Sequence, residues 1–172
     1  MKKKPTIATF YTKNQVCFDS IRERSYSQSP LKPYLLMQKI ERSEHHVHFD
    51  IHADFKPFQQ EDFLLAHSPE YVTNFFNQTG NYRSNGIPWS QNLATSVRYT
   101  NSAMYHAIQH SLDHPDQLCF APVSGMHHAT PHAGQGFCTF SGQVIASLKL
   151  YEEHGVSGAW LDLDGHFGNS IE

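Results

Sequence analysis

Apolar side chains recur at strand spacing in some stretches of the chain and at helix spacing in others. Thr6-Ile7-Ala8-Thr9-Phe10-Tyr11 is apolar and rich in strand formers, which predicts a first strand. Ser29-Pro30-Leu31-Lys32-Pro33 reads as a turn, and Pro33-Tyr34 leads into a helix carrying Leu35, Leu36 and Ile40. From His45 to His52, Val47, Phe49 and Ile51 alternate with His46, His48, Asp50 and His52. Successive strand side chains point to opposite faces, so this period predicts a half-buried strand with one wet face. His46 and His48 share that face and could bind a metal. A solvated edge, protected by polar side chains, is the simpler reading.

Pro57 to His67 predicts a short helix with Phe58, Phe63 and Leu64. Ser68 then caps another, with Pro69 at its first position, Glu70 in its first turn, and Tyr71, Val72, Phe75 and Phe76 as its apolar face. Asn81 to Pro88 is loop-like. Ser90 caps a long helix with Leu93, Val97, Met104, Ile108 and Leu112 near one stripe, and Pro115 ends it. Leu118 to Val123 predicts a short strand, followed by a Gly- and His-rich loop, Ser124 to Gly136. Ser141 to Glu153 predicts a helix with Val144, Ile145 and Leu148 on one face and Gly155 as its stop. Ala159 to Asp164 predicts the last strand.

Strands separated by helices imply an α/β fold: a parallel sheet with helices on both faces, in three layers. Ligands in such sheets bind beyond the carboxyl ends of the strands. The chemistry is therefore expected in the loops after Phe120 and after Leu163. No repeat or low-complexity linker divides the 172 residues, so residues 1–172 read as one domain.

Composition narrows the function. A hydrophobic share of 39% and a charged share of 17% describe a globular chain. A net charge of −3 gives no basic footprint for nucleic acid. No run of about 18 apolar residues predicts a membrane span. Met1-Lys2-Lys3-Lys4-Pro5 lacks the apolar stretch of a signal peptide. Cys17, Cys119 and Cys138 show no CxxC spacing, which argues for a reducing, cytoplasmic compartment. Thirteen histidines raise the expectation of a metal or acid–base site, although most single histidines belong on the surface.

Two segments carry candidate chemistry. Along an extended backbone, Asp162, Asp164 and His166 point the same way. A carboxylate oxygen and an imidazole nitrogen converging there make two thirds of a catalytic zinc site. Alone, the pattern equally suits a capping Asp beside a surface His. The adjacent pair His127-His128 is also ambiguous alone. Together the two segments suggest histidines partnered by acids next to a metal, the parts of a hydrolase that activates water.

At this point the chain resembles the histone deacetylase family of the arginase–deacetylase superfamily. Three stretches carry the resemblance: Ala66-His67-Ser68-Pro69-Glu70-Tyr71; Gly125-Met126-His127-His128-Ala129 with Gly136-Phe137-Cys138-Thr139-Phe140; and Asp162-Leu163-Asp164-Gly165-His166-Phe167-Gly168-Asn169. Gly86-Ile87-Pro88-Trp89-Ser90 and the Gly168-Asn169 step look more like the class IV and bacterial branch. The resemblance implies Zn2+ held by Asp164 and His166, and a structural K+ near Asp162, Asp164 and His166. It implies that His127, paired with Asp162, stabilises the transition state. His128 would be the general base and then the acid, oriented by Asn169, where class I enzymes carry Asp. Gly136 and Phe137 would line the acyl-lysine slot; core packing is the plain alternative for Phe137. Cys138 would be a buried structural thiol. The implied substrate is an acylated lysine or an acylated small amine, as for polyamine deacetylases.

The departures shape the expectation. The family's third zinc ligand, an Asp, and its transition-state tyrosine lie further along than Glu172, as do the strands that complete the sheet. The resemblance therefore implies an N-terminal portion, missing the C-terminal strands, with little turnover by residues 1–172 alone. A non-catalytic binding module is the rival reading. Asn101-Ser102 stands where the family usually has Gly-Gly, and Gly86 where class I enzymes grip the substrate backbone with Asp. A sheet lacking later strands exposes an apolar edge, which predicts aggregation or a homo-oligomer.

Overall fold

The computed structural model describes residues 6–19, 27–80 and 86–171. The Met1 to Pro5 run and the first part of the predicted Asn81 to Pro88 loop lie outside them. Three short strands form a parallel sheet: β1 (Ile7–Phe10), β2 (Phe49–His52) and β3 (Cys119–Phe120), in the order β2-β1-β3. Ile7 stands opposite Phe49 and Phe10 opposite His52, while Ala8 and Thr9 pair with Cys119 and Phe120. The central strand is the most buried, with Ala8 and Thr9 fully covered.

Helices surround this sheet. They are α1 (Lys32–Glu41), α2 (Gln60–Phe63), α3 (Pro69–Asn77), α4 (Gln91–Asp113) and α5 (Gly142–His154). Ala8 and Phe10 pack on Ala103 and Ala107 of α4. Tyr11 instead joins Leu31 and Met37 at α1. The parallel sheet with its surrounding helices is the expected α/β architecture. No described helix is long and apolar enough to cross a membrane.

The local signals act as their chemistry requires. Ser68 Oγ accepts from the Tyr71 N–H to cap α3, and Ser90 Oγ accepts from the Leu93 N–H to cap α4. Gly155 ends α5 in the left-handed region, at φ 65°. The main core lies between α3, α4 and α5 around Phe140, whose ring meets Phe63, Phe75 and Tyr71 at 4.5, 5.0 and 5.3 Å. Gly142 lets α5 approach α4. A Cβ there would stand 2.6 Å from Asn101 Oδ1 and 2.3 Å from Met126 Sδ. Buried Gln15 ties the first βα connection to the loop after β3. Its Nε2 donates to Pro122 O at 3.0 Å, and its Oε1 accepts from the Thr12 N–H at 2.7 Å.

Two predicted strands differ. Glu44–His48 is a 3-10 turn whose N-terminus is capped by Ser43 Oγ, and the strand starts only at Phe49. Its faces do not divide into wet and dry: Phe49 and His52 are half-buried while Asp50 and Ile51 are exposed, and the His52 ring stacks on Phe10 at 4.9 Å. His52 is drawn inward by its register partner across the sheet. Ala159 to Asp164 is not a strand. It hydrogen-bonds to no neighbouring strand, and Leu161 and Leu163 are 83% and 85% exposed. An apolar alternation makes a strand only when a partner satisfies its backbone. One tether is Trp160, whose Nε1 donates to Ser147 Oγ of α5 at 2.9 Å.

Candidate active site

The loop after β3 runs from Ala121 to Ser141 and carries both histidines of the pair. The segment after α5 carries the acids. The fold brings the two together. His127 Nδ1 lies 2.7 Å from Asp162 Oδ2, and His128 Nδ1 lies 2.8 Å from Asn169 Oδ1. The two rings are 4.0 Å apart. The Ser170 N–H donates to His127 O at 2.9 Å and so clips the later segment onto the loop. Sequence spacing gave no sign of Ser170 in this place.

Hydrogen-bonding capacity assigns the protons. A carboxylate and an amide oxygen can only accept, so each Nδ1 is the donor. In a neutral ring Nε2 then keeps its lone pair, and in a charged ring it donates as well. Asp162 also accepts the Asp164 N–H at 3.0 Å. That bond, and then the one from His127, hold its carboxyl below the usual range. Asp164 is held low in the same way, by the backbone N–H and the ring of His166.

Asp164 Oδ1 and His166 Nδ1 are 2.8 Å apart, and His127 Nε2 is 3.8 Å from the same carboxylate oxygen. One anionic oxygen and one imidazole nitrogen, close together and open to solvent, fit as two donors for a zinc ion. The proton they share would have to leave on metal binding. Among the described residues no group of three or more His, Cys, Asp or Glu side chains is arranged to hold a metal.

Gly136 and Phe137 form the tip of a tight turn in which the Cys138 N–H donates to Gln135 O at 2.7 Å. Both central residues have positive φ, 49° and 64°, the pattern of a mirror-image hairpin turn. Gly136 is required twice over: a Cβ there would stand 2.3 Å from His128 Cδ2. Phe137 pays a strain cost of about 1–2 kcal/mol for that backbone. It is 40% exposed and lines a cavity of about 420 Å³ with His127, His128, Asp162, Asp164 and His166. Packing in the interior is therefore not its role. Gly86 lies across from it, where a Cβ would be 3.7 Å from the Phe137 ring. Met104 and Gln143 also line it, and no motif marked them. Cys138 is buried, and burial pushes its thiol up, as suits a structural residue.

Comparison with known proteins gives this arrangement a context. The histone deacetylase domain family matches residues 27–172. Histone deacetylase 14, chloroplastic, of Arabidopsis thaliana is 26% identical over 134 residues, which cover 68% of this chain and 31% of that protein. Histone deacetylase 10, chloroplastic, of Oryza sativa subsp. japonica is 24% identical over 134 residues, covering 67% and 30%. The chain thus spans less than a third of the length of these relatives.

Proposed function

Because the chain belongs to the histone deacetylase family, we propose that its cavity serves zinc-dependent hydrolysis of the amide in an acylated amine. The observation that carries this reading is the pair of oriented histidines facing Asp164 and His166 across one cavity. Asp164 and His166 would hold the metal, and K+ would sit beside this segment as a structural ion. When bound, zinc supplies Lewis-acid polarisation.

The chain's own residues account for the proton movements. His128, its Nδ1–H fixed by Asn169, takes a proton from the attacking water on Nε2. It later returns that proton to the nitrogen of the leaving amine. His127, charged and steadied by Asp162, donates to the oxygen on which negative charge develops. An amide partner orients His128 but does not stabilise its charged form as a carboxylate would. Gly136 and Phe137 flank the acyl chain. The substrate is an acylated lysine or an acylated small amine.

Hydrolysis of an acetyl-lysine peptide and of an N-acetylated diamine, measured beside zinc content, tests the proposal. Replacing Asp164 and His166 together with Ala should abolish zinc retention. Equal zinc in both proteins would overturn the assignment. A second reading, a non-catalytic binding module, is favoured by the two-donor site. It predicts zinc-independent partner binding and no turnover at any metal concentration. The enzymatic reading predicts instead that any turnover depends on zinc.

A further inference from the structure

The His67-Ser68-x-x-Tyr71 stretch has no part in the chemistry above, yet it touches the loop that has. That loop leaves the histidine pair through Thr130 and Pro131, turns at Gly136 and Phe137, and returns through Thr139 to Ser141. His67 lies between the two arms. Its Nδ1 is 2.9 Å from Thr130 O, and the Ser141 N–H donates to its Nε2 at 2.9 Å. The Ser68 N–H donates to Pro131 O at 2.8 Å, on the outgoing arm. Tyr71 Oη donates to Thr139 O at 2.8 Å, on the returning arm.

We propose that His67 is a positioning residue which, with Tyr71, clamps both arms of the loop bearing His127 and His128. This rests on the reading of those two histidines as the hydrolytic pair. A carbonyl only accepts and an N–H only donates, so both ring nitrogens are engaged in one neutral tautomer. His67 therefore has no lone pair or proton left for a substrate. It is 4% exposed, and burial pushes its pKa down to about 4. The neighbouring His132 adds to that lowering. Neutral His67 satisfies one group on each arm. A protonated ring would aim an N–H at the Ser141 N–H and lose that link.

Packing alone is the competing account. The His67 ring meets Phe140 at 5.0 Å and Tyr71 at 5.8 Å. A phenylalanine would keep those contacts and lose both hydrogen bonds, so His67→Phe separates the two roles.

Cys138 supplies a readout independent of catalysis. It sits on the returning arm at 1% exposure, and Cys17, elsewhere in the fold, is equally buried. The experiment measures iodoacetamide labelling of each thiol in the 172-residue chain by peptide mass spectrometry. His67→Phe should speed labelling of Cys138 roughly tenfold, the consequence of leaving two buried groups unpaired, with Cys17 unchanged. Tyr71→Phe, which removes one link, should give a smaller rise at Cys138 only. Ring ¹⁵N shifts of the wild type should show His67 with its proton on Nδ1 at pH 6. Unchanged labelling of Cys138 in both variants would overturn the proposal, as would an equal rise at Cys17. If the Asp164→Ala, His166→Ala protein keeps as much zinc as the wild type, the hydrolytic reading fails while the labelling still decides the clamp.

Discussion

Residues 121–141 and residues 156–171 supply the two halves of the candidate site, but they are secured by different means. The first is anchored to Gln15 through Pro122, to His67 and Tyr71 along both arms, and to α5 at Ser141. Met126, Ala129, Cys138 and Phe140 are all at most 3% exposed. The second forms no regular structure and leaves Leu161, Leu163 and Phe167 largely in solvent. It is held at the site by the bonds of Asp162, Asn169 and Ser170 to the first half. The histidines are thus preorganised by the core, whereas the acids take their positions from the histidines. A site in which one side templates the other should respond asymmetrically to mutation.

The largest test acts on the templating side. His128→Ala, in a form of the protein that hydrolyses acylated amines, should lower kcat roughly 10²–10⁴-fold, the usual worth of a general acid–base group. Zinc content should stay level. Unchanged kcat would remove His128 from the reaction.

Next comes pH. His67 titrates near 6.5 in the unfolded chain and near 4 in the folded one. Between these values the unfolded chain binds a proton that the native fold excludes. Stability from this residue is intact above about pH 6.5 and falls as the pH drops toward 4, by roughly 3 kcal/mol in all. Urea denaturation at stepped pH should show this loss, and His67→Phe should flatten it. Parallel profiles would mean that His67 is not the group concerned.

Gly136→Ala is expected to be smaller, about 1–2 kcal/mol of stability, because it combines a positive φ with a clash against His128. Its cost should appear in thermal unfolding together with a displaced His128 ring resonance. The smallest effect belongs to the other half. Leu161→Ser with Leu163→Ser should change stability by under about 0.5 kcal/mol per site. The same pair should increase the monomer fraction on size-exclusion chromatography. Loss of several kcal/mol would show that the segment packs more firmly than its exposure indicates.

What could be read in the sequence divides along the same line. The caps Ser68 and Ser90 and the stop Gly155 were legible because their chemistry acts within one helical turn. The His127-His128 and Asp162–His166 segments were legible through their conjunction and their family resemblance. The inward place of His52 was not, because alternation gives the period and leaves open which side chains find a partner; the stacking of His52 on Phe10 decides that. Nor was the loss of the strand at Ala159 to Asp164, since pattern alone cannot supply a hydrogen-bonding neighbour. The left-handed Phe137 was hidden for another reason. A bulky residue is disfavoured there, and only the surrounding loop imposes that backbone.

The tether from Trp160 to Ser147 has an optical consequence. The chain has two tryptophans. Trp89 donates to Phe75 O beside the main core, while Trp160 sits 40% exposed at the base of the acid-bearing segment. Their emission should therefore divide by colour, blue-shifted from Trp89 and red-shifted from Trp160. A soluble quencher should dim the red component first. Docking of that segment against a partner surface, or its ordering by a metal ion, would register as a blue shift of Trp160 alone. The protein thus carries its own fluorescent gauge for the less secured half of its site, with no dye attached.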